Sequence, residues 1–109
     1  MVKEINQYDV YWISLDPSQG SEMAKTRPCV AVSPNEINEF LRTVVIMPIT
    51  STIKDYPWRV PCVISNKAGA IVVEQIKTVD RTRIGAKIGT LSKSEVVMLK
   101  QIIQSMFID

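Results

Sequence analysis

Apolar and polar positions follow a short, strand-like pattern through most of this chain and switch to a helical period at its end. Asp9 to Leu15 (Asp-Val-Tyr-Trp-Ile-Ser-Leu) is rich in β-branched and aromatic residues and reads as a strand. Asp16-Pro17-Ser18-Gln19-Gly20 closes it with turn chemistry. Pro28 to Val32 reads as a second strand, its proline at the start, where a missing donor is tolerated. Ser33-Pro34-Asn35-Glu36 then predicts a short helix over Ile37 to Leu41. Thr43 to Met47 is apolar and mostly β-branched, a buried strand that Pro48 is expected to end. Thr52 to Pro57 reads as a polar loop, Trp58 to Ile64 as a strand, Ser65 to Gly69 as a turn, and Ala70 to Val73 and Ile84 to Ile88 as further strands. Ser92 with Glu95 forms a capping box, and Val96, Leu99, Ile102, Ile103 and Met106 recur at helical spacing. That predicts one amphipathic helix over about Lys93 to Phe107, with this stripe as its core face.

Many short strands followed by one clear helix exclude a doubly wound parallel sheet, which needs alternating helices. The expected fold is mainly β (α+β): a small curved antiparallel sheet or partial barrel with a C-terminal helix packed on it. With 109 residues, the chain is expected to form a single domain over 1–109. Its apolar runs fall short of the ~20 residues of a membrane span. Met1 to Gln7 is polar and mixed in charge, so no signal peptide is expected. Cys29 and Cys62 lie in apolar runs without metal-ligand spacing and read as buried free thiols of a cytoplasmic protein.

The net charge of +2 announces no nucleic-acid partner, but Lys77, Arg81, Arg83 and Lys87 form a locally basic segment that holds one acid, Asp80. It reads equally as a solvated rim and as a surface facing phosphates. The absence of histidine narrows the chemistry further. Neither a Ser-His-Asp nor a Cys-His arrangement is possible, and the scattered acids offer no three convergent metal ligands. Acid–base and phosphate chemistry is left to Glu, Arg, Lys, Ser and Thr. Glu22, Arg27, Thr50 and Ser51 all stand at or near predicted strand ends. If the strands beginning at Arg27 and ending at Thr50 are antiparallel neighbours, a planar guanidinium meets two hydroxyls in a setting suited to a phosphate. Spacing alone favours the plainer reading, a loop ion pair between Glu22 and Arg27 beside an ordinary Thr-Ser turn.

Two blocks carry a resemblance. The first runs Trp12-Ile13-Ser14-Leu15-Asp16-Pro17-Ser18-Gln19-Gly20-Ser21-Glu22 and on through Thr26-Arg27-Pro28-Cys29-Val30-Ala31-Val32-Ser33-Pro34. The second comprises Pro48-Ile49-Thr50-Ser51 and Glu74-Gln75-Ile76-Lys77-Thr78. From about Tyr8 onward the chain resembles the MazF/PemK (Kid) family of toxin endoribonucleases. The resemblance implies an SH3-like barrel sheet with a C-terminal helix, a homodimer, and sequence-selective cleavage of single-stranded RNA with neither metal nor cofactor. It further implies inhibition by a MazE-like antitoxin with an acidic flexible tail. By similarity, Arg27 and Thr50 match the family's catalytic arginine and hydroxyl, and Glu22 an acid near them. Gln75 matches the family's acid-Gln pair; many relatives carry Asp where Glu74 stands.

Around these catalytic candidates the expected substrate contacts are Ser18 and Gln19 on the first loop, Ser51 beside Thr50, Tyr56 and Trp58 as stacking surfaces for unpaired bases, and Glu74, Gln75 and Lys77. Lys77, Arg81 and Arg83 are candidates to follow flanking phosphates. Two other readings compete: a gyrase-poisoning toxin of the CcdB type without nuclease activity, and a non-catalytic RNA-binding barrel.

Overall fold

The computed structural model describes residues 4–15 and 25–108. Strands β1 (Asp9–Ser14), β2 (Thr26–Ala31), β3 (Thr43–Thr50), β4 (Val60–Ile64), β5 (Lys67–Ile71), β6 (Lys77–Asp80) and β7 (Ile84–Thr90) form one antiparallel sheet. Its spatial order is β4-β5-β3-β2-β1-β7, with β6 also paired to β3. Helix α1 (Asn35–Phe40) links β2 to β3, and helix α2 (Lys93–Phe107) follows β7. The expected mainly β fold with a C-terminal helix is what is found. No helix among the described residues is long and apolar enough to cross a membrane.

Period-two alternation along each strand fills two apolar clusters, one on each face. Val10, Val30, Met47 and Ile49 join Val60, Ile64 and Ile71 in the cluster that contains Leu99 of α2. Tyr11, Ile13, Cys29, Ala31, Val44 and Ile46 pack on the other face with Leu15, Val79 and Ile84. On α2, Leu99 is fully buried and Val96, Ile102 and Ile103 pack partly buried against the first cluster. Met106, expected in the same stripe, is instead exposed in the last turn of the helix.

Strand β3 corrects the expectation that Pro48 is a terminus, for it continues to Thr50. Pro48 faces Cys29 of β2, and its carbonyl accepts the Val72 N–H at 2.8 Å. A residue's N–H and C=O point to the same side of a strand. The missing donor therefore falls on the side where β3 changes partner, from β6 at Ile46 to β5 at Ile49. No ladder bond is lost there, so the proline is tolerated. Strand β6 was hidden in the basic segment, since Val79 is its only buried residue.

The turn between β4 and β5 is tighter than expected. Ser65 and Asn66 both hold positive φ (51° and 64°), the geometry of a two-residue hairpin, so β5 starts at Lys67 rather than Ala70. This shortening brings Lys67, Ala68 and Gly69 alongside the end of β3.

Candidate active site

The site lies where the ladder between β2 and β3 runs out. Their register pairs Ala31 with Ile46, Val30 with Met47 and Cys29 with Pro48. Continued by two residues, it sets Arg27 across from Thr50. The two strands are antiparallel neighbours, the condition under which the sequence allowed these residues to meet. Alternation puts Arg27 and Thr50 on the face that carries Cys29, Ala31 and Ile46. Thr50 also pairs with Ala70 of β5, which fixes it from its other side.

A cavity of about 350 Å³ opens at this end of the sheet. Arg27, Thr50 and Ser51 line it with Ser65 and Lys67, while Trp12, Pro28, Ile49, Ile64 and Ile88 supply apolar walls. The floor is closed by Gly69: a Cβ there would meet the Thr50 carbonyl oxygen at 2.9 Å and Ile49 Cγ2 at 3.0 Å. The Thr50 hydroxyl accepts the Thr52 N–H at 3.1 Å, so its single proton is left to be donated elsewhere.

Lys67 and Trp12 were not anticipated as site residues. Trp12 stands opposite Pro28 in the ladder and is 46% exposed, whereas its neighbours Tyr11 and Ile13 are buried. Alternation alone does not carry that signal, because Val10, on the same face of β1 as Trp12, is fully buried. Lys67 becomes visible only once the hairpin is known to be two residues long.

Cys29 is completely buried beneath this site. Burial pushes its thiol up to about 12, although the Lys77 and Arg27 charges act in the opposite direction. The thiol stays protonated at neutral pH and offers no nucleophile. Its response to both cations puts Lys77 of β6 in the same electrostatic neighbourhood as Arg27. The rest of the basic segment serves the fold: Arg81 Nη1 donates to the Asn38 carbonyl, Arg83 Nη1 donates to the Ser14 carbonyl at 3.4 Å, and Lys87 Nζ sits 3.1 Å from buried Asp9.

The remaining candidates divide into two groups. Glu22, Ser18 and Gln19 lie outside the described residues. Tyr56, Trp58 and Glu74 do not line the cavity but meet one another at a second locus. The rings of Tyr56 and Trp58 stack with centroids 4.9 Å apart and planes 7° from parallel. Arg59, which the sequence did not single out, holds its guanidinium 4.7 Å from the Tyr56 centroid and its Nη2 2.6 Å from Glu74 Oε2. Glu74 sits in a single 3₁₀ turn, Val73–Gln75. Burial works to raise its carboxyl, but hydrogen bonds and charge, chiefly from Arg59, hold it below the ordinary value. Gln75 closes the same turn and donates its N–H to the Val72 carbonyl at 3.1 Å.

Comparison with known proteins gives the family and the fold. A family model described as PemK-like, MazF-like toxin of type II toxin-antitoxin system matches residues 6–107. The endoribonuclease toxin MazF of Escherichia coli K12 is 32% identical over 93 residues, which span 84% of each chain. Endoribonuclease MazF of Staphylococcus epidermidis is also 32% identical, over 101 residues that cover 85% of this chain and 82% of that one. Among solved structures, MazF of Deinococcus radiodurans superposes with a TM-score of 0.86 at 20% identity, covering 96% of this chain and 97% of that one. A mycobacterial endoribonuclease in complex with its cognate antitoxin gives 0.78 at 20% identity, with coverages of 92% and 91%.

Proposed function

This chain belongs to the PemK-like, MazF-like family of toxins of type II toxin–antitoxin systems, and from that premise we propose that it is a metal-independent endoribonuclease cutting single-stranded RNA at short sequences. The observation that carries the proposal is the cavity where Arg27, Thr50 and Ser51 converge at the end of the β2–β3 ladder. A guanidinium and neighbouring hydroxyls suit a phosphodiester, and no histidine is present to compete for acid–base work.

The reaction begins with the substrate's own 2′-hydroxyl attacking the adjacent phosphorus. Its proton leaves, charge builds on the non-bridging oxygens, and the 5′-oxygen departs with a proton. A 2′,3′-cyclic phosphate and a 5′-hydroxyl end result. Arg27 stabilises the developing charge and is assigned as the donor to the leaving oxygen. It does not serve as the base, because a guanidinium presents donors and no acceptor. Thr50 donates its hydroxyl proton to a phosphoryl oxygen and fixes the scissile group, with Ser51 beside it. Glu22 is assigned the 2′-hydroxyl proton, or the orientation of Arg27. Ser18, Gln19, Glu74, Gln75 and Lys77 are assigned to the flanking nucleotides, and Tyr56 and Trp58 to stacking.

In this reading the protein works in the cytoplasm as a homodimer, and a MazE-like antitoxin with an acidic flexible tail restrains it. Complexes with antitoxin are described for the mycobacterial relative and for Deinococcus radiodurans MazE-MazF. Membership of this toxin family weighs against a CcdB-type gyrase poison. The deciding experiment incubates the protein with single-stranded RNA in excess chelator and maps the ends produced. Cleavage to cyclic phosphate and 5′-hydroxyl ends is expected, with Arg27→Ala slowing it by at least ~100-fold while RNA still binds. Intact RNA in the wild-type reaction would overturn the reading. Separate Glu22→Gln pH profiles distinguish a base, whose acidic limb disappears, from an orienting group, whose limb remains.

A further inference from the structure

Tyr56 and Trp58 stand in the segment that follows Ser51, in a loop that nothing in either apolar cluster requires to be aromatic. They are 37% and 38% exposed, yet their rings are stacked within 7° of parallel. Two exposed aromatic side chains on a loop lose entropy when held this way, so something must hold them. Arg59 does so. Its Nη2 and Nε reach Glu74 Oε2 at 2.6 and 3.2 Å, and its guanidinium lies over Tyr56. Its backbone N–H also donates to the Tyr56 carbonyl at 3.2 Å, closing the turn that carries both rings. Arg59 therefore ties the loop to the 3₁₀ turn at Val73–Gln75 through one ion pair, one ring contact and one backbone bond.

We propose that Arg59 is a positioning residue for RNA: through Glu74 it locks the Tyr56–Trp58 stack as a preformed platform for a single unpaired base beside the scissile phosphate. This rests on the ribonuclease reading above and assigns a role to a residue outside its cavity. The occupant is a base of single-stranded nucleic acid for two reasons. A rigid aromatic stack accepts the face of any base, and the Lys54 ammonium, 5.9 Å from the Tyr56 centroid, favours a polyanion, the Arg59 charge being matched by Glu74. A preformed platform lowers the ordering cost of binding, so its loss acts on affinity rather than on the chemical step.

The test moves a single abasic nucleotide, position by position, through a cleaved oligonucleotide. Wild-type protein is expected to show a loss of about tenfold in kcat/KM at the platform position. In Arg59→Ala that one penalty disappears while penalties at other positions persist. On the intact oligonucleotide KM rises about tenfold and kcat stays within about twofold. Arg59→Lys, which keeps charge but lacks the planar fork, falls between the two. Glu74→Gln, a near-isosteric change, gives a second route to the same pattern if Arg59→Ala folds poorly. An unchanged KM in both Arg59→Ala and Glu74→Gln, or an abasic penalty of full size at every position in both, would overturn the inference while leaving the ribonuclease reading intact. A wild-type protein that cuts no RNA would instead overturn the ribonuclease reading and this inference with it.

Discussion

Gly69 supports Thr50 from below: a Cβ at position 69 would lie 2.9 Å from the Thr50 carbonyl oxygen. That is closer than side-chain carbons approach backbone, and β3 cannot yield without moving Thr50. The expected consequence of Gly69→Ala is a displaced Thr50 rather than a filled space. Overpacking of this kind costs about 1–3 kcal/mol of stability, read as a shift of the urea midpoint. Activity is expected to fall further, by about tenfold in kcat at a temperature where the variant is fully folded, because a small misplacement of a positioning group is amplified in the rate. A kcat equal to wild type would show that Thr50 need not be held where Gly69 holds it.

Thr50 itself yields a sharper comparison. Its hydroxyl is already an acceptor for Thr52 N–H, which orients the oxygen and directs its proton away from the loop. Thr50→Ser keeps both functions and is expected to retain activity within about threefold. Thr50→Val matches the shape but removes the donor, and a loss of about 10²-fold in kcat is expected by comparison with removal of a single oxyanion donor. Steady-state cleavage of one defined oligonucleotide measures both. Equal losses in the two variants would assign Thr50 to packing alone.

Much of this was legible because local and long-range signals agreed. Helix α2 runs from Lys93 to Phe107, as its capping box and helical period require. The meeting of Arg27 with Thr50 was conditional on antiparallel pairing of their two strands, which the sheet supplies. What escaped had weak local signatures. Strand β6 buries only Val79 among Lys77, Thr78 and Asp80, so its charges outweighed its pattern. Pro48 looked like a strand end because its compensation, the change of partner from β6 to β5, is a property of the sheet. Arg59 was invisible for a similar reason: its partner Glu74 is fifteen residues away, beyond the reach of any periodicity. Ser18, Gln19 and Glu22 lie outside the described residues, so their proposed roles rest on the sequence.

Glu95 joins helix to sheet, and its removal is expected to be costly. Its Oε1 accepts the Ser92 N–H at 2.8 Å within the capping box, and its Oε2 accepts the Val63 N–H at 2.8 Å. Val63 lies on β4, the last strand of the sheet order, where Pro61 two residues earlier has no donor to offer. One carboxylate thus caps α2 and covers the exposed edge of the sheet. Glu95→Ala is expected to cost about 1–3 kcal/mol, against about 1 kcal/mol for Ser92→Ala, which removes only the cap. Urea unfolding of the two variants measures the difference. Equal losses would mean that the Val63 bond contributes nothing.

The two cysteines make a last prediction, in pH and in reactivity. Burial pushes both thiols up to about 12, and at Cys62 the nearby Glu95 adds to the rise. In the unfolded chain a thiol ionises near pH ~8.5. Above that value the unfolded state releases its thiol protons while the folded state keeps them, so the unfolded state gains and stability falls as pH rises from about 8.5 toward 12. The urea midpoint is therefore expected to decline between pH 8 and 10, and to decline less in a Cys29→Ala/Cys62→Ala variant. At pH 8 a thiol reagent is expected to leave both cysteines of the native protein unmodified and to label both at once in denaturing urea. Rapid labelling of native Cys29 would mean that the interior beneath Arg27 and Thr50 opens on the time scale of the reagent, and would remove the basis for treating that thiol as inert.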